Sequence, residues 1–253
     1  MAAAFEFGDR GRGRAAVTAY ALGLATGAAL IPAAIDPQLV HWSAYLVVLF
    51  GFHQLEYVLT AAYRPDTLSS DNFLLNHSGA YHAAVVVCWA EFWLEWWLST
   101  SSWKRPGLAS AFGLLLTLGG LGVRALAMRT AASNFSHVIE TEKRSEHRLV
   151  KHGIYRYLRH PAYFGFFWFS VGTQLLLCNP VGAVLYALAS WSFFARRIPY
   201  EEALLHEFFP REYADYCKRT RIGIPFIRTG VSDRQAGVPP TEPVHLHTRL
   251  HTH

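Results

Sequence analysis

The sequence predicts an all-α fold: a polytopic integral membrane bundle of about six spans, the last two forming a helical hairpin. Three observations carry this. Of 253 residues, 52% are hydrophobic, 15% aromatic and only 16% charged, whereas soluble domains carry about 25% charged residues. The apolar residues gather in blocks near the ~20 residues that cross a bilayer. Lys and Arg gather between those blocks, so the formal charge of +5 reads as cytoplasmic-loop charge and not as a nucleic-acid face.

The first block runs from Ala15 to Ile35 and is ended by Pro32, Asp36 and Pro37. Basic residues precede it, as in a signal peptide, but the block is too long for an h-region and is expected to stay as a span. The second, His41 to Tyr63, stops at Arg64-Pro65. In its FHQLEY string, His53 and Glu56 are three apart on one helix face. Such a pair either holds helices together or serves function. The loop 64–79 contains the sequon Asn76-His77-Ser78, expected to face the cytoplasm and stay unmodified.

The third block, Ala80 to Leu98, carries Glu91 and Glu95 four apart. A structural role is expected for them rather than an acid/base pair. Trp93, Trp96, Trp97 and Trp103 read as an interfacial belt. After the turn Ser99 to Pro106 comes the fourth block, Gly107 to Ala132. Its Gly113, Gly119, Gly120 and Gly122 allow close helix approach. Arg124 and Arg129 mark its cytoplasmic end.

A polar run follows, from His137 to Arg159-His160-Pro161. It is the longest between apolar blocks. The hairpin comes next, Tyr163 to Cys178 and Val181 to Phe194, turning at Asn179-Pro180. Arg196-Arg197 closes it. Pro199 is expected to open a separate amphipathic segment lying on the membrane surface, with Leu204, Leu205, Phe208 and Phe209 at helical spacing. From Thr229 the chain is rich in Pro, Gly and His and reads as a disordered tail. His245, His247, His251 and His253 are expected to be solvated there. Both termini are expected on the cytoplasmic side.

Cys88, Cys178 and Cys217 show no CxxC or Cys/His zinc spacing, so neither a disulfide framework nor a metal site is expected. The GxGxxG-like string at Gly11 follows no strand and is discarded, and no P-loop, HExxH or nucleophile elbow occurs. Arg-His-Pro at 159–161 carries more. Proline suits a first helical turn. The free N–H groups and dipole of a helix start favour an anion, and an arginine fork can hold a carboxylate. The plainer reading of Arg159, an anchor under the positive-inside rule, stands beside it.

The run SNFSHVIETEKRSEHRLVKHGIYRYLRHPAYFG from Ser133, then GTQLLLCNP from Gly172, then Arg197, Glu201, Glu202 and FFPREYADY from Phe208, closely resembles the isoprenylcysteine carboxyl methyltransferase family. The likeness covers roughly residues 40–228, with FHQLEY and FLLNHS as further family-like strings. It implies an endoplasmic-reticulum membrane enzyme, its active site facing the cytosol. It also implies S-adenosyl-L-methionine as cofactor, and C-terminally prenylated CaaX proteins, such as small GTPases, as partners. By the same resemblance, Glu140, His147, Arg148, Leu149, Val150, Tyr155, His160, Pro161, Ala162, Tyr163 and Glu201 enclose the methyl donor in a cytosolic segment. Arg197 meets the substrate carboxylate, and Arg159 is a second catalytic arginine. The family pattern has Gln where this chain has Glu140. The expected division is 1–136 as N-terminal spans, 137–228 as the catalytic region and 229–253 as the tail.

A prenylcysteine carboxylate, with a pKa of about 3.5, is ionised near neutral pH and needs no general base. A sterol reductase, which would need NADPH, and a phospholipid methyltransferase, which would take an ethanolamine head group, are the enzymatic alternatives. A non-catalytic transporter or receptor is the third, and it leaves the Arg-His-Pro and Arg-Glu-Glu segments without a joint purpose.

Overall fold

The computed structural model describes residues 11–75, 79–98 and 102–227. The sequon at 76–78, the basic start at 1–10 and the His-rich tail at 229–253 lie outside the described residues. Within them the chain forms helices α1 (Arg12–Ala28), α2 (Ile31–Ile35), α3 (Val40–Tyr63), α4 (Gly79–Leu98), α5 (Leu108–Ala131), α6 (Pro161–Leu176), α7 (Pro180–Phe208) and α8 (Pro210–Arg219). An isolated parallel bridge joins Leu158 to Arg221. Three described stretches, Arg12–Ile35, Pro37–Tyr63 and Leu108–Asn134, are long and apolar enough to cross a membrane. The six expected blocks fall on α1 with α2, on α3, α4, α5 and α6, and on the first part of α7. Large apolar side chains such as Leu108, Leu115, Val184 and Leu188 are exposed, as on a surface that meets lipid.

Within a bilayer, lipid tails are as apolar as leucine, so helices associate through close packing of small residues. The α5–α6 pair is built that way. A Cβ on Gly113 would lie 2.1 Å from the amide N of Leu176, and one on Gly120 would lie 2.5 Å from that of Phe169. From α6, a Cβ on Gly165 would meet the Gly120 carbonyl at 2.5 Å, and one on Gly172 the Thr117 amide at 2.6 Å. Gly119 and Gly122 face open space, so only half of the expected glycine set makes the approach. The helical period turns those two away from α6.

The end of the bundle farthest from the Arg-His-Pro turn is held by charge. Lys104, whose side chain is 2% exposed, pairs with Glu95 at 2.7 Å and donates to the Cys178 carbonyl and to Asn179. Glu91 accepts from the amides of Val181 and Gly182, each at 2.7 Å. It thus caps from α4 the unsatisfied N–H groups at the start of α7. Glu91 and Glu95 therefore hold the α6–α7 turn, as expected of structural carboxylates.

One element departs from expectation. Pro199 opens no separate segment; it lies inside α7, a single helix of 29 residues. An interior proline loses one hydrogen bond and costs about 3 kcal/mol. Tertiary contacts on both sides of it offset that cost: Ile198 is fully buried, and Glu202 is buried in an ion pair with Arg159 and in contact with His160. The chain breaks later, at Phe209, and α8 starts on Pro210. Arg197 and Glu201 consequently sit one helical turn apart on a rigid element.

Candidate active site

The polar run 137–160 folds across the α7–α8 region and the start of α6. Several ties hold it there. Lys143 donates to the Phe208 carbonyl at 2.7 Å. The Arg159 amide donates to the Arg221 carbonyl at 2.9 Å, and the Arg221 amide to the Tyr157 carbonyl at 3.1 Å. The Tyr216 hydroxyl donates to the Tyr155 carbonyl at 2.6 Å. Tyr213 and Tyr216, three apart on α8, thereby turn the same buried face toward the run.

Between these layers lies a cleft. Its lining includes His147, Arg148, Leu149, Val150, Tyr155, Arg159, His160, Pro161, Ala162, Tyr163 and Glu201. The structure thus brings together eleven of the thirteen residues singled out from sequence. Glu140 lines a neighbouring cavity instead, 3.9 Å from Arg64 and 3.3 Å from Arg144. Phe135 and Ser136 line both spaces. Arg197 lies outside the lining and reaches the cleft through Tyr163. Its Nε donates to the Tyr163 hydroxyl at 2.8 Å, and that hydroxyl donates to Glu201 Oε2 at 2.5 Å. Arg197 Nη2 donates to the His137 carbonyl at 2.7 Å.

Arg159 and His160 do not stand on an exposed helix end. His160 is 5% exposed, and its Nε2 lies 3.1 Å from Glu202 Oε1. Arg159 Nε donates to the same oxygen at 2.8 Å, and its Nη1 donates to the Thr220 carbonyl at 2.6 Å. The physical reason is local charge: a buried guanidinium needs a counter-ion, and Glu202 supplies it from α7. Arg159 therefore fastens the C-terminal segment to the cleft wall, with its guanidinium already engaged.

His147 Nδ1 is buried without a hydrogen-bond partner, and its ring packs against Phe208 and Phe209. Burial, then the nearby Arg144, holds this imidazole below its ordinary pKa, so it is neutral at pH 7. Burial also raises the Tyr155 hydroxyl, with Glu201 adding to the shift. The lining thus holds an imidazole and a phenol beside the Glu201 side chain.

Sequence reasoning missed Glu202 as a counter-ion, Asn134, and the α8 tyrosines. Asn134 Oδ1 accepts from the Arg148 amide at 2.9 Å, fixing the start of the irregular 148–150 stretch of the lining. A signal was there: Asn134, Glu202 and FFPREYADY all stand in the family-like strings.

The comparisons with known proteins point one way. Residues 113–207 match the model of the isoprenylcysteine carboxyl methyltransferase family. The chain is 43% identical over 215 residues to the protein-S-isoprenylcysteine O-methyltransferase of Rattus norvegicus, covering 84% of this chain and 75% of that protein. With the enzyme of that name from Saccharomyces cerevisiae it shares 41% over 218 residues, covering 83% and 90%. A solved structure of the eukaryotic intramembrane Ras methyltransferase, isoprenylcysteine carboxyl methyltransferase, superposes with a TM-score of 0.82 at 39% identity. That match covers 85% of this chain and 77% of the other.

Proposed function

The chain belongs to the isoprenylcysteine carboxyl methyltransferase family, and from that membership we propose how its cleft works. The substrate is the C-terminal carboxylate of prenylated cysteine in processed CaaX proteins, the methyl donor is S-adenosylmethionine, and the membrane is that of the endoplasmic reticulum with the cleft facing the cytosol. The observation that carries this reading is the Tyr163 hydroxyl, joined at once to Arg197 and to Glu201. It puts a carboxylate-binding cation one residue away from a cleft with an anionic wall.

The donor set fits S-adenosylmethionine. Glu201 suits a cation, Tyr155 offers an aromatic face, and the orphaned His147 Nδ1 offers a buried polar atom to a ligand. His147, Arg148, Leu149, Val150 and Glu201 would hold the donor, with Pro161 and Ala162 as backing. When bound, the donor supplies an electrophilic sulfonium methyl. Everything else falls to the protein. Arg197 engages one carboxylate oxygen and leaves the other free, because a bidentate fork on both would quench the nucleophile. The carboxylate arrives ionised, so no side chain needs to take a proton. Rate then comes from positioning, which can supply about 7–11 kcal/mol. Arg159 contributes as a positioning residue through Glu202 and His160.

Purified protein with radiolabelled S-adenosylmethionine and N-acetyl-farnesylcysteine is the test. Label is expected in the free acid and not when its methyl ester is supplied. Label in an ethanolamine lipid instead, or NADPH-dependent sterol reduction, would overturn the reading. Arg197→Ala is expected to abolish transfer while the donor still binds.

A further inference from the structure

We infer that Glu56 and Arg124, which line neither the cleft nor the neighbouring cavity, are positioning residues that hold the two halves of the site in register. Both are buried, at 1% and 7% exposure. Arg124 Nε and Nη2 donate to the two oxygens of Glu56, the second at 2.8 Å. The guanidinium has a third arm. Nη1 donates to the Ala162 carbonyl at 3.4 Å, inside the turn whose Pro161, Ala162 and Tyr163 line the cleft. On the other side, Glu56 Oε2 lies 3.7 Å from His137 Nε2. The His137 carbonyl is the acceptor for Arg197 Nη2. One ion pair between α3 and α5 therefore touches the donor wall and the ring of His137, the residue whose carbonyl holds the carboxylate arginine.

Stability alone does not account for this pair. Well-packed apolar residues of similar volume usually stabilise a buried site as well as an ion pair does, or better. Ionisable groups within membrane helices are costly and mark function by default. The backbone packing beside the pair is tight: a Cβ on Gly165 would meet the Arg124 amide at 2.7 Å. The guanidinium stem thus starts from a fixed point directly under the α6 turn. Charge, planarity and a third donor are what an apolar pair lacks, and they are what the Ala162 carbonyl and His137 use.

The inference rests on the carboxylate–arginine reading above, and the experiment separates the two. Single replacements such as Glu56→Leu strand a buried charge and lose protein to misfolding, so they are not the decisive variants. The double variant Glu56→Leu/Arg124→Met removes both charges, and Arg124→Lys keeps the charge but loses the third arm. Each is purified, and active sites are counted by S-adenosylmethionine binding in a calorimeter. Turnover of N-acetyl-farnesylcysteine per bound donor is then measured. A positioning role predicts donor affinity within about threefold of the parent and kcat lower by about tenfold to a hundredfold, with little change in KM. Parent-like turnover per bound donor in the double variant would show that the pair is only helix glue and overturn the inference. Absence of transfer by the parent protein would instead overturn the substrate reading.

Discussion

Tyr163 donates its hydroxyl proton to Glu201 Oε2 across 2.5 Å while accepting from Arg197. A neutral phenol thus separates an arginine from a glutamate one helical turn away. Without it, the two charges on α7 would close into an ion pair of their own, and neither would be presented to a ligand.

Tyr163→Phe is therefore expected to let Arg197 and Glu201 collapse together. A hydrogen bond to a charged group is worth about 1.5–3 kcal/mol, so kcat/KM should fall by about tenfold to a hundredfold. Steady-state kinetics with both substrates would check this; parent-like values would mean that the two charges are kept apart by the backbone.

The acid side of the pH profile follows from His147. Its pKa is depressed below 6.5 by burial, then by Arg144, with Lys143 adding and Glu140 and Glu201 opposing. The folded state thus binds fewer protons there than the unfolded state. No stability is lost above pH 6.5, where the ring is neutral in both states. As pH falls through 6.5 toward the depressed value, protonation favours unfolding and puts a cation in the cleft proposed to take the sulfonium. Donor affinity is expected to fall over that window, and His147→Gln should flatten the fall. Calorimetric titration across the window is the measurement.

Glu91→Ala is expected to separate architecture from chemistry. It orphans the Val181 and Gly182 amides at the far end of the bundle, at a cost of about 1–3 kcal/mol. The thermal midpoint in detergent should drop while turnover per folded molecule stays unchanged.

Gly165→Ala is expected to do the reverse of a surface change. The new methyl would lie 2.5 Å from the Gly120 carbonyl, and overpacking of this kind costs about 1–3 kcal/mol. Because Gly165 sits one turn from Pro161, both the thermal midpoint and activity should fall. Gly119→Ala, whose side chain meets open space, is the control that should change neither.

Composition and block length determined the helical membrane class by themselves, because the ~20-residue apolar requirement is local and leaves a period that can be counted along the chain. The family-like strings likewise pointed to eleven of the residues that line the cleft, through the resemblance they carry and not through any local geometry. Tertiary structure alone decided the rest. Pro199 stays inside α7 because Ile198 and Glu202 are buried against partners far away in sequence. Arg159 is engaged by Glu202, 43 positions later. Glu140 comes within 3.9 Å of Arg64, far earlier in the chain, as well as 3.3 Å of its neighbour Arg144, and Glu56 finds Arg124 across 68 positions. Burial is what sets these pairings: a charge withdrawn from water takes the counter-ion that the packed helices present, and no local pattern encodes which one that will be.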